Sequence, residues 1–448
     1  MESLGSLALR YRILGCFDMI AILFRASNQS ELPMAQPLLI IIGYVWPEPN
    51  SSAAGSRMLS LIRLYRQQGW RVIFASAAEK SPHRFDLSTL DVAEHSVELN
   101  HDSFDKWLAQ QAPLAVMFDR FMLEEQFGWR VEQACPDAMR ILDMEDVHAL
   151  RHAREQAVKQ GRELDNDLLN SELAQREIAA IYRCDLTLVI SEYEMQLLQQ
   201  HFKVPAELLC YCPFLLEDPP STEPTGFQQR QHFIAIGNFR HAPNWHSVLW
   251  LKQLWPAIRH QLPQAELHIY GAYPPPKATA LHNAKQGFLI KGWASDAVTV
   301  MKQARLCLAP LAFGAGLKGK LLEAMVCGTP SVTTPIGAEG MLADNKWPGA
   351  IATGDDDFIA AAVRLYQDQT RWSEAQQLGL TAVWQRFDGA KHSTRIWQQL
   401  QQVQAELTAH RQANFTGLML RHHAYRSTKF MGQWIEAKTK LQQMTEPS

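Results

Sequence analysis

Short apolar runs alternate with segments of helical periodicity, stop at a proline-rich stretch, and then begin to alternate again; few folds accommodate such a chain. Leu38-Leu-Ile-Ile-Ile-Gly43 is continuous, apolar and rich in β-branched residues, as expected of a strand buried on both faces of a parallel sheet. A loop rich in Pro, Ser and Gly follows from Trp46 to Gly55. Met58, Leu61, Ile62 and Tyr65 then recur at helical spacing, Gly69 ends that helix, and 71–75 reads as a second strand. Further strands are predicted near 114–118, 140–143 and 186–190, with one long helical stretch over 148–183. Strand–helix alternation of this kind makes right-handed crossovers and a doubly wound sheet.

The segment 216–226, with three prolines and few apolar residues, breaks the pattern. Beyond it strands are predicted at 233–236, 266–270, 288–290, 306–311 and 331–334, with helices at 244–258, 294–304 and 320–327. The expected organisation is therefore an N-terminal extension at 1–36, a Rossmann-like unit at 37–215, a linker at 216–229 and a second Rossmann-like unit at 230–388. A helix at 389–410 and a basic amphipathic tail at 411–448 follow. Two α/β units of similar size leave a cleft between them, and ligands of open α/β sheets bind outside the carboxyl ends of the strands.

Composition narrows the class. With 448 residues, 47% of them hydrophobic and 20% charged, the chain suits two cores of an ordinary globular protein. A formal net charge of −3 offers no general attraction for nucleic acid. The seven cysteines form no CxxC pair, so neither a zinc site nor a disulfide framework is expected, and the odd count suits a reducing, cytoplasmic setting. No run reaches the length of a membrane span; Ile13 to Phe24 is short and contains Asp18. Residues 1–33 read either as a weakly structured extension or as the result of a start assigned upstream of Met34, alternatives that the intact mass of the native protein separates.

The most informative segment runs from Ala309 to Pro330. A strand enters a loop carrying Gly314, Ala315, Gly316, Leu317, Lys318 and Gly319, and that loop opens a helix containing Lys320 and Glu323. Glycines let backbone approach a ligand closely, a helix start presents free N–H groups, and two lysines add mobile cations, a combination suited to a diphosphate. Glu323, one turn into the helix, is placed to accept hydrogen bonds from both hydroxyls of a ribose. The plain alternative is a packing turn with Glu323 paired to Lys320.

The string GAGLKGKLLEAMVCGTPSVTTPIGAEGM resembles the donor-site signature of the group 1 (family 4) glycosyltransferases of GT-B fold, and IGNFRHAPNWHSVLWL resembles the opening of their C-terminal domain. The resemblance implies two Rossmann-like doubly wound domains facing a cleft, a nucleotide-sugar co-substrate, no cofactor and no metal, retention at the transferred carbon, and a glycan or lipid-linked acceptor. It gives Glu323 the donor ribose. One departure stands out. Ala315 occupies the position where many members carry a first glutamate near the donor sugar, so either the loop backbone and Lys320 serve instead, or transfer has been lost. Arg240 matches the arginine that contacts the diphosphate, while its usual lysine partner has no match, leaving that charge to Lys320. The turn at Gly292 and Trp293 packs the nucleobase in similar enzymes; a core or interdomain tryptophan is the other reading. No DxD-type pair occurs in the donor half, which is consistent with basic residues in place of a metal.

On the opposite wall, Tyr44, Ser52 and Gly55 belong to the first loop, implied to approach donor phosphate and acceptor, or else forming only a flexible turn. Asp143-Met-Glu-Asp-Val-His148 is an acidic cluster at a strand end. Glu145, with Asp146 and His148 beside it, falls where similar enzymes place a His or acid next to the reacting carbon; Asp146 as a helix cap is the alternative. Asp119 and Arg120 end another strand and are candidates to touch acceptor. Ser191 reads as a helix cap without chemistry. The tail mixes Arg426, Lys429, Lys438 and Lys440 with Phe430, Met431 and Trp434, suited either to the inner face of a membrane or to packing on the first unit. Two other functions remain open: a catalytically silent GT-B nucleotide- or glycan-binding subunit, and a sugar-nucleotide epimerase.

Overall fold

The computed structural model describes residues 36–217, 224–342 and 346–445. The expected extension at 1–33 and the middle of the expected linker lie outside them. Two wholly parallel sheets organise the rest. The first contains β1 (Leu38–Gly43), β2 (Arg71–Ser76), β3 (Ala93–Ser96), β4 (Ala115–Asp119), β5 (Met139–Asp143), β6 (Leu186–Val189) and β7 (Leu209–Tyr211) in the order β3-β2-β1-β4-β5-β6-β7. The second contains β8 (Gln231–Ile236), β9 (Leu267–Tyr270), β10 (Phe288–Gly292), β11 (Ala304–Ala309), β12 (Ser331–Thr333) and β13 (Gly349–Ile351), ordered β10-β9-β8-β11-β12-β13.

The β1 sequence explains its place. All six residues are buried; Ile40 and Ile42 join the core on one face, while Leu39 and Ile41 join the core on the other. In each sheet the strand order reverses beside the first strand, between β1 and β4 and between β8 and β11. Loops at these reversals diverge to opposite faces and leave a crevice. The helix Gly389–Ala405 packs Ile396, Leu400 and Val403 into the core of the first sheet. Helices Leu407–Ala413 and Phe415–Thr445 continue over that half, where Arg411 pairs with Asp185 at 2.8 Å and the Tyr425 hydroxyl donates to Glu124 at 2.6 Å.

Several expected elements differ in detail. The helical stretch 148–183 is three helices, His148–Gln160, Asn166–Leu169 and Glu172–Arg183, because Gly161 ends the first in the left-handed region at φ 61°. Strands β3 and β13 are short sheet-edge strands without a long apolar run, so periodicity did not reveal them. Gly55 is not a loop residue. The helix Ala53–Gln67 begins two positions earlier, capped by the Ser52 hydroxyl accepting from Gly55 N–H at 3.1 Å.

Candidate functional site

A cavity of about 680 Å³ opens where the two sheets direct their strand-end loops toward each other. Its first wall includes Tyr44, Ser52, Arg120, Glu145, Asp146 and His148; its second includes Arg240, Trp293, the run 314–320 and Glu323. Gly55, Gly292 and the buried Asp119 do not line it. A Cβ on Gly55 would lie 2.5 Å from the Glu48 carbonyl, so this glycine lets the helix pack under its own entry loop. Gly292 ends β10 at φ 78° and makes the turn that precedes Trp293.

Buried charge builds the first wall. Arg57 bonds Asp143 through Nη2 at 2.8 Å and Nε at 3.0 Å, while Asp119 accepts from the Tyr44 backbone N–H at 2.9 Å. Arg120 and Glu145 both sit in the left-handed region, at φ 77° and 64°, conformations that cost energy for residues with side chains. Burial, with Asp143 and Asp119 nearby, pushes the Glu145 carboxyl up to about 8 despite Arg120 and Arg57. Burial also opposes ionisation of Asp146, but Arg151, His148 and His241 outweigh it and hold that carboxyl well below the usual range. Adjacent residues thus present a protonated acid and a carboxylate at neutral pH, a division suited to proton donation beside stabilisation of positive charge. Asp146 does not cap the following helix. Glu177 accepts from the N–H groups of His148 and Ala149 at 3.0 and 2.9 Å, freeing Asp146 to pair with Arg151 and to lie 3.3 Å from His148 Nδ1.

On the second wall, the helix Gly319–Val326 starts with no side-chain cap, which leaves its positive end toward the cavity. Its lysines are held, contrary to the expectation of mobile cations. Lys318 Nζ is buried and donates to the Gly316 carbonyl at 2.6 Å; Lys320 Nζ donates to Asn244 Oδ1 at 2.6 Å. Burial lowers Lys320 to about 8 and raises Glu323 to about 7, each partly countered by the other. Arg240 lies 3.7 Å over the Tyr273 ring, and the Tyr273 hydroxyl reaches Glu48 of the first half at 2.8 Å. Trp293 is 37% exposed and stacks on His83 of the first half at 4.2 Å, so it is an interdomain rather than a core tryptophan.

The glycines of the 314–319 loop serve a contact that sequence did not reveal. A Cβ on Gly316 would lie 2.8 Å from Asp146 Cβ, and one on Gly319 2.3 Å from Ala53 Cβ; at Gly314 the nearest atom is 3.5 Å away. Ala315 is buried within the core cluster of the first half. Arg154 donates to the Gly314 carbonyl at 2.8 Å while pairing with Glu339, and Glu194 accepts from Gly316 N–H at 2.8 Å. Glu194 follows Ser191 in the spacing of a capping box, the only local hint of its position. His241 was also overlooked. It lines the cavity, where burial and Arg151 lower its pKa to about 4 against the pull of Asp146. Among the described residues no group of three or more His, Cys, Asp or Glu is arranged to hold a metal ion.

Residues 230–368 match the family model for glycosyl transferases group 1. No curated protein is close enough in sequence to match. Among solved structures, the chain is similar to Anabaena HepE in complex with UDP and glucose, with TM-score 0.61 and 13% identity over 81% of this chain and 99% of that one. It is similar to the pneumococcal O-GlcNAc transferase GtfA in complex with UDP and GlcNAc, with TM-score 0.59 and 12% identity over 83% and 99%. Sucrose-phosphate synthase from Thermosynechococcus elongatus gives TM-score 0.58 and 14% identity over 83% and 100%.

Proposed function

We propose that the chain is a group 1 glycosyltransferase of GT-B fold that moves a sugar from a nucleoside-diphosphate donor to a hydroxyl of a glycan or lipid-linked acceptor. In this reading the half built on β8–β13 holds the donor and the half built on β1–β7 receives the acceptor. The observation that carries it is the uncapped start of the helix Gly319–Val326 facing the cavity, with Lys320 and Glu323 on the same wall. N–H groups at that start bind the diphosphate, and Lys320 with Arg240 neutralises the charge that grows on it as the glycosidic bond breaks. Glu323 accepts hydrogen bonds from the ribose hydroxyls. Trp293, on the cavity wall, packs against the base. HepE and GtfA were each solved with UDP, which makes uridine donors the first to test.

At the reacting carbon, the Asp146 carboxylate stabilises oxocarbenium character, protonated Glu145 donates a hydrogen bond to the sugar, and the departing diphosphate takes the acceptor proton. Retention, metal independence and the absence of a cofactor belong to the proposal. With retention, the acceptor oxygen bonds the face from which the diphosphate departs. Ala315 supplies no carboxylate, so the sugar is held by backbone of the 314–317 loop. The missing carboxylate at Ala315 also motivates one rival, a silent subunit that binds nucleotide or glycan. A donor panel with NMR analysis of products decides. Transfer or slow hydrolysis of one nucleotide-sugar supports the proposal, binding without turnover supports the silent subunit, and interconversion of the sugar without acceptor supports an epimerase.

A further inference from the structure

The helix Phe415–Thr445 has 31 residues and two different faces. Its inward face belongs to the first half. Gly417 passes so close to the Tyr182 carbonyl that a Cβ would lie 2.2 Å away, Arg421 and Tyr425 are buried, and Gly432 lies against Trp129. The outward face is uncovered and carries a row of large apolar side chains, with His423 and Gln433 between them. Phe415, Met419, Phe430 and Trp434 are 67%, 47%, 64% and 60% exposed. At about 100° per residue these four fall within a sector of roughly 100°. By the same count Lys429 and Lys440 border the sector on one side, and Lys438 borders it on the other, 5.4 Å over the Trp434 ring. Arg426 lies inside it. The acid on this stretch, Glu436, is already paired with Lys440 at 2.8 Å.

We propose that this face lies on an anionic lipid surface. An exposed apolar stripe of this size on a helix already anchored along its other side calls for a partner. Lysines at both edges select its nature, because their stems extend along the apolar layer while the ammonium groups reach headgroup phosphates. A protein partner burying the stripe would have to supply carboxylates for cations on both borders. No helix of the described residues is long and apolar enough to cross a membrane, so the contact is parallel to the surface. The inference is independent of which sugar or acceptor the enzyme uses.

Sedimentation of the full chain with vesicles tests it, using phosphatidylcholine alone against phosphatidylcholine mixed with phosphatidylglycerol. Wild type is expected to bind the mixed vesicles, and the Phe430→Ser/Trp434→Ser and Lys429→Glu/Lys438→Glu variants to bind about tenfold more weakly with unchanged melting temperatures. Equal binding by wild type and both variants would overturn the proposal, as would no binding by wild type. A concentration-dependent dimer in light scattering that F430S/W434S abolishes, without vesicle binding, would assign the face to a second copy instead.

Discussion

The Oε1 of Glu194 accepts hydrogen bonds from the backbone N–H groups of Val147 and Gly316, both at 2.8 Å. One buried carboxylate therefore ties the loop ahead of the helix His148–Gln160 to the glycine loop of the other half. The two loops that face each other across the cavity are registered by a residue that does not line it.

Replacing Glu194 with Ala leaves two N–H groups without their acceptor, a loss of about 2–4 kcal/mol when both are counted. The expected result is a melting temperature several degrees lower and weaker nucleotide binding, followed by calorimetry on the purified variant. Glu194→Gln retains an acceptor oxygen and should recover most of the stability. Wild-type affinity and melting in the alanine variant would remove Glu194 from this role.

Gly319→Val tests the close approach to Ala53. The added side chain needs space that the first half occupies, so the halves must separate. Loss of donor turnover with retained helical circular dichroism is expected, since the damage is confined to the contact between halves. A fully active variant would show that this approach is dispensable.

Glu323→Ala removes the group assigned to the ribose. Nucleoside-diphosphate affinity should fall about 10- to 100-fold, the worth of one or two hydrogen bonds to a charged acceptor, while the fold survives. Titration calorimetry reads this directly. An unchanged Kd in a folded variant contradicts the ribose assignment.

The first wall should leave a signature in stability against pH. Glu145 is raised from 4.5 to about 8 in the folded state, so the folded chain binds the proton more tightly than the unfolded chain. The stability this adds is fully present below pH 4.5 and is lost as pH rises from there through about 8. Glu145→Gln keeps the neutral shape and should flatten the decline in melting temperature across this window. An identical slope in wild type and variant would show that Glu145 is not held protonated.

Lys320 offers a second pH test. Its ammonium, lowered to about 8 by burial, is lost above that pH, so diphosphate affinity should weaken between pH 7 and pH 9. Lys320→Met should bind more weakly at pH 7 and lose most of that dependence. Equal pH dependence with and without the lysine would place the phosphate elsewhere.

The sequence alone determined the two Rossmann-like units and the wall that carries Glu323, because strand and helix periods, caps and glycine spacing act within a few neighbouring residues. The buried run at 38–43 and the loop-to-helix turn at 314–323 are local patterns of this kind. Only the tertiary structure decided what the glycines face and which acid is ionised. Gly316 meets Asp146 and Glu194, and that glutamate lies 122 positions away along the chain. Glu145 and Asp146 are neighbours in sequence yet titrate in opposite directions, since burial with Asp143 and Asp119 raises the first while Arg151, His148 and His241 lower the second; the burial, Asp119 and His241 are supplied by folding. Local pattern specifies backbone shape; electrostatic environment and close contact are properties of residues distant in the chain, and no spacing rule encodes them.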